Sequence, residues 1–128
     1  ISLPSSELKM HVGIYKCRPD VGAVVHAHPP HATAFAVAGM TLPQGVMPEI
    51  DILLGKVVLA PYCQPGTREL ADSVAGPAAG GSNVVLLGNH GATTWGRDLQ
   101  EAWLRMESLD HCCRILLAAK KLGPWKTL

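Results

Sequence analysis

Among the six histidines of this chain, three fall in one short run, Val24-Val25-His26-Ala27-His28-Pro29-Pro30-His31. If residues 21–27 form a strand, its period of two puts His26 and His28 on the same side at the C-terminal end, where two imidazoles can reach one ion. The prolines suit neither a mid-strand position nor a helix interior, but they suit the first turn of a new helix. A second apolar run, Asn83 to Leu87, leads into Gly88-Asn89-His90-Gly91 and delivers another histidine at a strand end, with glycines on both sides to let the backbone bend. A catalytic zinc site commonly has three protein ligands and an open position, so His26, His28 and His90 are candidate ligands. Three neutral imidazoles would leave the ion its full double positive charge, a strong Lewis acid toward a carbonyl. Glu7 is the candidate carboxylate, able to fill the open position or act as a base. By its local spacing alone it is an ordinary first-turn helix acid.

The elements that must hold these residues can be read in order. Residues 5–17 read as a helix capped by serine after Pro4, with Leu8, Val12 and Tyr15 on its apolar side. A turn at Arg18-Pro19-Asp20 leads to the strand at 21–27, and the Ala-rich segment 31–39 reads as a short buried helix ended by Gly39. His31 belongs to that helix, near the site. Residues 40–55 read as loops around a short helix; Glu49 and Asp51 there resemble the carboxylate pair of a glycosidase, a pattern common on loops. A strand at 56–60 is followed by a helix from Arg68 capped by Thr67, a flexible turn at 76–82 and the buried strand 83–87. Residues 88–96 read as a glycine-rich bend. Asp98 and Glu101 form a capping box for a long helix to about Lys121. Its predicted core stripe includes Leu99, Ala102, Trp103, Met106, Leu109, Cys113, Leu116 and Ala119, while His111 lies on the surface.

Composition limits the partners. The chain has 128 residues, enough for a single domain with its own core, and 16% are charged against 48% hydrophobic. So few charges point to a surface partly covered by partner subunits. A net charge of +1, with no Lys/Arg stripe, argues against nucleic acid and membrane surfaces and leaves small molecules and copies of the chain. Cys17, Cys63, Cys112 and Cys113 lack CxxC spacing and read as small buried residues in a reducing compartment. With no recognisable signal segment or spanning run, a cytoplasmic location is expected. No dinucleotide fingerprint or Walker lysine is present.

Four separated motifs in one order carry a resemblance: Leu3-Pro4-Ser5-Ser6-Glu7; Arg18-Pro19-Asp20 leading into Val24-Val25-His26-Ala27-His28; Ala60-Pro61-Tyr62 with Gly66-Thr67-Arg68-Glu69-Leu70; and Leu86-Leu87-Gly88-Asn89-His90-Gly91. Together they resemble the class II aldolase/adducin family over nearly the whole chain. The resemblance implies a three-layer α/β/α fold around a mixed, largely antiparallel sheet. It implies that His26, His28 and His90 bind Zn2+, or another divalent ion such as Mn2+ or Co2+. Glu7 would be resting ligand and then proton-abstracting base, and Ser5 and Ser6 would hold a substrate phosphate, for which a helix start is apt. The implied reaction is cleavage of a phosphorylated ketose to dihydroxyacetone phosphate and an aldehyde through an enediolate, in a homotetramer. Decarboxylases, epimerases and dehydratases of the family share that chemistry; the epimerases commonly have Asp in place of Glu7. Two departures are visible. A family aldolase has a tyrosine proton donor near the position of Met47, where this chain has none, and residues 1–128 are expected to be an N-terminally truncated form of the single family domain. A noncatalytic adducin-like assembly domain should have lost several ligand positions, whereas all four are filled here. A zinc hydrolase is a further class, but neither HExxH nor an acid-rich two-metal cluster is present.

Overall fold

In the computed structural model, residues 2–128 are described. Four strands form one sheet in the order β1-β4-β3-β2, where β1 is Ala23–Ala27, β2 Val57–Ala60, β3 Val84–Leu87 and β4 Gly91–Gly96. The β1/β4 and β4/β3 pairs are antiparallel and the β3/β2 pair is parallel, so the sheet is mixed and largely antiparallel, as expected. Helices α1 (Leu8–Cys17) and α3 (Arg68–Ala79) cover one face; α2 (Pro30–Val37), a π-helical turn at Ile50–Leu54 and α4 (Leu99–Leu122) cover the other.

Alternation along the central strands splits the core in two. Val84 and Leu86 join the layer with Phe35, Met106 and Leu109, while Val85 and Leu87 join Met10, Ile14, Leu70 and Trp95. Because β3 is covered on both faces, all four of its residues are buried, which is why it reads as a continuous apolar run.

Several elements differ from the sequence reading for identifiable reasons. Residues 91–96, expected as a bend, form β4, buried along its whole length; the glycines at both ends and the lack of apolar alternation hide the strand signal, and the buried threonine hydroxyls are satisfied, Thr94 Oγ1 donating to Ala102 O at 2.7 Å and Thr93 Oγ1 to Met10 Sδ at 3.4 Å. The expected flexible turn at 76–82 is largely helix, since α3 continues through Pro77 to Ala79. Burial of Ala78 and the Arg18 guanidinium, which donates to Ala78 O and Ser82 O at 3.1 Å, override the local Pro and Gly preferences. Helix α1 begins at Leu8, three residues later than expected, because Ser5 to Glu7 form a turn in which Ser5 Oγ accepts from Glu7 N at 3.2 Å. On α4, Leu99 and Trp103 are 65% and 51% exposed and lie outside the core stripe, which runs Ala102, Met106, Leu109, Cys112, Cys113, Leu116. Leu99 lies in the first helical turn, and Trp103, one step past Ala102, is turned about 100° from the sheet. All four cysteines are free thiols, but only Cys112 and Cys113 are buried; Cys17 and Cys63 are half-buried. Burial pushes the Cys112 thiol up to about 11, so it behaves as a small apolar group.

Candidate metal centre

Antiparallel pairing of β1 with β4 is what assembles the site. The register sets His26 opposite Thr93 and Ala27 opposite Ala92, so the end of β1 meets the start of β4. Leu87 pairs with Gly91 across the β3/β4 hairpin, leaving Gly88-Asn89-His90 as its connection. His90 N donates to Leu87 O at 3.0 Å, and Asn89 N to Ala36 O at 3.3 Å, which ties the turn to α2. The left-handed residue of this turn is Asn89, at φ 58°, a conformation asparagine tolerates better than most residues. The glycines serve a different need from the bending expected of them. A Cβ at Gly91 would lie 2.6 Å from both Ala27 O and His28 Cδ2, so only hydrogen lets β4 pass this close to the His28 ring.

The three imidazole rings stand 4.9–5.0 Å apart between centroids, and one ligand atom from each lies within 4.8 Å of the others. His26 Nε2 and His28 Nε2 are 3.3 Å apart. Two nitrogens bound at ~2.05 Å to a tetrahedral ion would be separated by ~3.3 Å, so this spacing fits a single ion. The His26 ring is held in a ligating orientation, with Nδ1 2.9 Å from Ala92 O and 3.3 Å from Thr93 Oγ1. Donation to the carbonyl puts the proton on Nδ1 and leaves the Nε2 lone pair facing the cluster. The sequence reading did not single out Ala92 and Thr93; they emerge only once β4 is known to pair with β1.

Charge and burial also fit a cation. Burial lowers the pKa of His26 and of His90, and the Glu7 carboxylate opposes that in both cases, which places its negative charge beside the cluster. Glu7 Oε2 and His90 Nδ1 are buried without a hydrogen-bond partner. Orphaned polar atoms of this kind around convergent imidazoles are what a bound ion would relieve. His11, four residues after Glu7, is lowered by burial and raised by Glu7 in the same way. The cluster is thus a divalent-metal site in its donor set, spacing and electrostatics.

Ser5 and Ser6 are exposed at the mouth of α1, beside the loop that precedes α3: a Cβ on Gly66 would lie 3.3 Å from Ser6 O, and Lys9 Nζ donates to Gly66 O at 3.3 Å. Of the Glu49/Asp51 pair, Asp51 is tied to its own loop, accepting from Gly45 N at 3.0 Å. Met47 is partly buried in the α4-side core. His31 lies in α2, and His111 is exposed on α4. Among the described residues no helix is long and apolar enough to cross a membrane.

The model of the Class II Aldolase and Adducin N-terminal domain matches residues 2–117. The chain belongs to the class II aldolase/adducin family. It is 39% identical over 112 residues to the L-fuculose phosphate aldolase of Methanococcus vannielii, covering 88% of this chain and 60% of that one. It is 32% identical over 117 residues to the 3-oxo-tetronate 4-phosphate decarboxylase of Escherichia coli, covering 88% of this chain and 55% of that one. A solved L-fuculose 1-phosphate aldolase superposes with a TM-score of 0.92 at 36% identity, over 100% of this chain and 59% of that chain. The chain therefore spans little more than half the length of these family members.

Proposed function

We propose that this chain carries the metal centre of a lyase that cleaves a phosphorylated ketose to dihydroxyacetone phosphate and an aldehyde. The observation that carries the reading is the convergence of His26, His28 and His90 with an unpartnered Glu7 carboxylate oxygen beside them. His26, His28 and His90 would hold Zn2+, with Mn2+ or Co2+ as alternatives. A divalent ion held there supplies a Lewis acid that draws electron density from a substrate carbonyl and hydroxyl. Glu7 is the acid-base residue. Its carboxylate takes the proton from the carbon beside the carbonyl in the condensation direction, and returns it to that carbon after the carbon–carbon bond breaks. Burial of Oε2 keeps competing water from this oxygen. Ser5 and Ser6 bind the substrate phosphate: both residues are exposed just ahead of α1, where the helix dipole favours an anion.

An L-fuculose phosphate aldolase among the relatives supports a sugar-phosphate substrate and aldol chemistry. A decarboxylase reading has its own support in the 3-oxo-tetronate 4-phosphate decarboxylase and in Met47, which leaves the aldolase's tyrosine proton donor without a counterpart near that position. Both reactions need carbanion stabilisation by the same metal and differ in whether aldehyde or carbon dioxide leaves. Trp103, Leu104 and Leu117 are exposed on α4, which supports assembly of copies into a homotetramer; light scattering gives the mass directly.

The deciding experiment follows exchange of the carbon-bound proton of dihydroxyacetone phosphate into deuterated water, with zinc-loaded protein. Glu7→Gln should retain the metal and lose exchange. Exchange at the unaltered rate in Glu7→Gln would remove Glu7 as the base. Parallel assays for aldehyde release from phosphorylated ketoses and for carbon dioxide release from phosphorylated 3-oxo acids separate the two reactions.

A further inference from the structure

Of the three clustered histidines, His28 is the one whose backbone lies outside both the β1/β4 ladder and the β3/β4 turn. His26 sits in the β1 ladder and hydrogen-bonds to Ala92 O, and His90 sits in a hairpin turn closed by backbone bonds. His28 lies just past the end of β1, is exposed, and its ring makes its one hydrogen bond to His26. What fixes its backbone must come from the two segments it joins, β1 and α2.

The start of α2 is held by a single side chain from another element. Pro29, at the N-cap, has no side-chain acceptor, and Pro30 at the first helical position has no N–H. Thr33 N already reaches Pro29 O at 2.8 Å, so the free donors of the first turn are His31 N and Ala32 N. Asp110 on α4 takes both: Oδ1 accepts from His31 N at 2.8 Å and from Ala32 N at 2.9 Å. Its other oxygen, Oδ2, lies 3.0 Å from His31 Nδ1. One carboxylate thus acts as the cap that the two prolines cannot supply. Its negative charge at a helix N-terminus adds to the effect.

We propose that Asp110 is a positioning residue for the metal centre, holding His28 in place through the start of α2. The β1/β4 ladder fixes the chain up to Ala27, and Asp110 fixes it from His31. Only His28, Pro29 and Pro30 lie between, and the two proline rings lock φ in the last two. Asp110 thereby does for His28, through the backbone, what Ala92 O does for His26 through its ring. His31 owes its place in the histidine run to this clamp, pairing with Asp110 through its ring as well as its backbone N–H. The proposal rests on the reading of the three histidines as a metal site.

The test compares zinc affinity, by competition with a chromophoric chelator, in the unaltered chain, D110A and D110N. Loss of an outer-shell support weakens metal binding by about 10- to 100-fold, and D110A should fall in that range. D110N keeps Oδ1 for the two amides, so it should bind within about threefold of the unaltered chain. The visible bands of the cobalt-loaded protein should weaken in D110A and persist in D110N. A second readout needs no metal: the nuclear Overhauser contact between the His28 Cδ2 proton and the Gly91 α-protons, expected from their close packing, should be lost in D110A and kept in D110N. If D110A does not fold, D110S, whose hydroxyl falls short of the amides, should show the same losses. Zinc affinity in D110A within about threefold of the unaltered chain, or a retained His28–Gly91 contact, would overturn the proposal. Absence of zinc binding in the unaltered chain would sink the metal reading, while the proton contact would still decide the role of Asp110.

Discussion

A methyl group placed at Gly91 should damage the metal centre without touching a ligand atom. The added Cβ of Gly91→Ala would sit 2.6 Å from Ala27 O and 2.6 Å from His28 Cδ2, with His28 Cα at 3.4 Å. Ordinary carbon contacts need about 3.5 Å or more, so the ring and the β1/β4 ladder must together yield by nearly 1 Å. The ladder resists, because β4 is buried on both faces, and the half-free His28 side chain moves first. Overpacking of this kind costs about 1–3 kcal/mol, which for a domain of this size lowers Tm by about 3–10 °C. Displacing one imidazole should also weaken zinc binding by about 10- to 100-fold. The control is Gly96→Ala at the other end of β4, where the Cβ would meet the Glu101 side chain at 2.7–2.9 Å. That variant should lose stability but bind zinc normally. Thermal denaturation and chelator competition measure both quantities on each variant. Equal zinc affinities in Gly91→Ala and Gly96→Ala would show that close approach at Gly91 does not set the position of His28.

Two further outcomes follow from contacts away from the cluster and from its protonation. Arg18→Ala should destabilise the fold by about 2 kcal/mol in urea denaturation, because Arg18 joins the end of α1 to Ala78 O, Ser82 O and Asn83 Oδ1. Its pairing with Asp20, which is fully exposed, should add little to that loss. Acid should destabilise the metal-free chain through His26 and His90. Both are lowered from 6.5 in the folded state, so their contribution is complete above 6.5 and is lost as the pH falls from there through the lower folded values. Denaturation midpoints between pH 7.5 and 5 check this; a chain equally stable across that window would contradict the burial of the two rings.

How much of this was legible in the sequence depended on which link of the chain carried the signal. His26 and His28 could be placed because strand alternation is local, and His90 because an apolar run led straight to it. The capping box at Asp98 and Glu101 held for the same reason, with Glu101 N donating to Asp98 Oδ1 at 2.8 Å. Strand β4 was not legible, because Gly91-Ala92-Thr93-Thr94-Trp95-Gly96 has glycines at both ends and no apolar alternation, and it becomes a strand through pairing on both edges. The supports it supplies, Ala92 O and Thr93 Oγ1, were hidden along with it. Asp110 was equally invisible: 79 residues separate it from His31, and only the packing of α4 across α2 brings its carboxylate to the two prolines. The flanking Gly88 and Gly91 suggest freedom to bend, whereas the structure uses Asn89 for the bend and Gly91 for close approach.

Both the proposed reaction and the role of Asp110 depend on His26, His28 and His90 holding one metal ion together. Calorimetric titration of zinc into chelator-treated protein measures this without any choice of substrate. One ion per chain should bind in the unaltered protein, and that binding should be lost in His26→Ala, His28→Ala and His90→Ala, each still folded by circular dichroism. Zinc bound with unchanged affinity after all three histidines are replaced would contradict a three-histidine site.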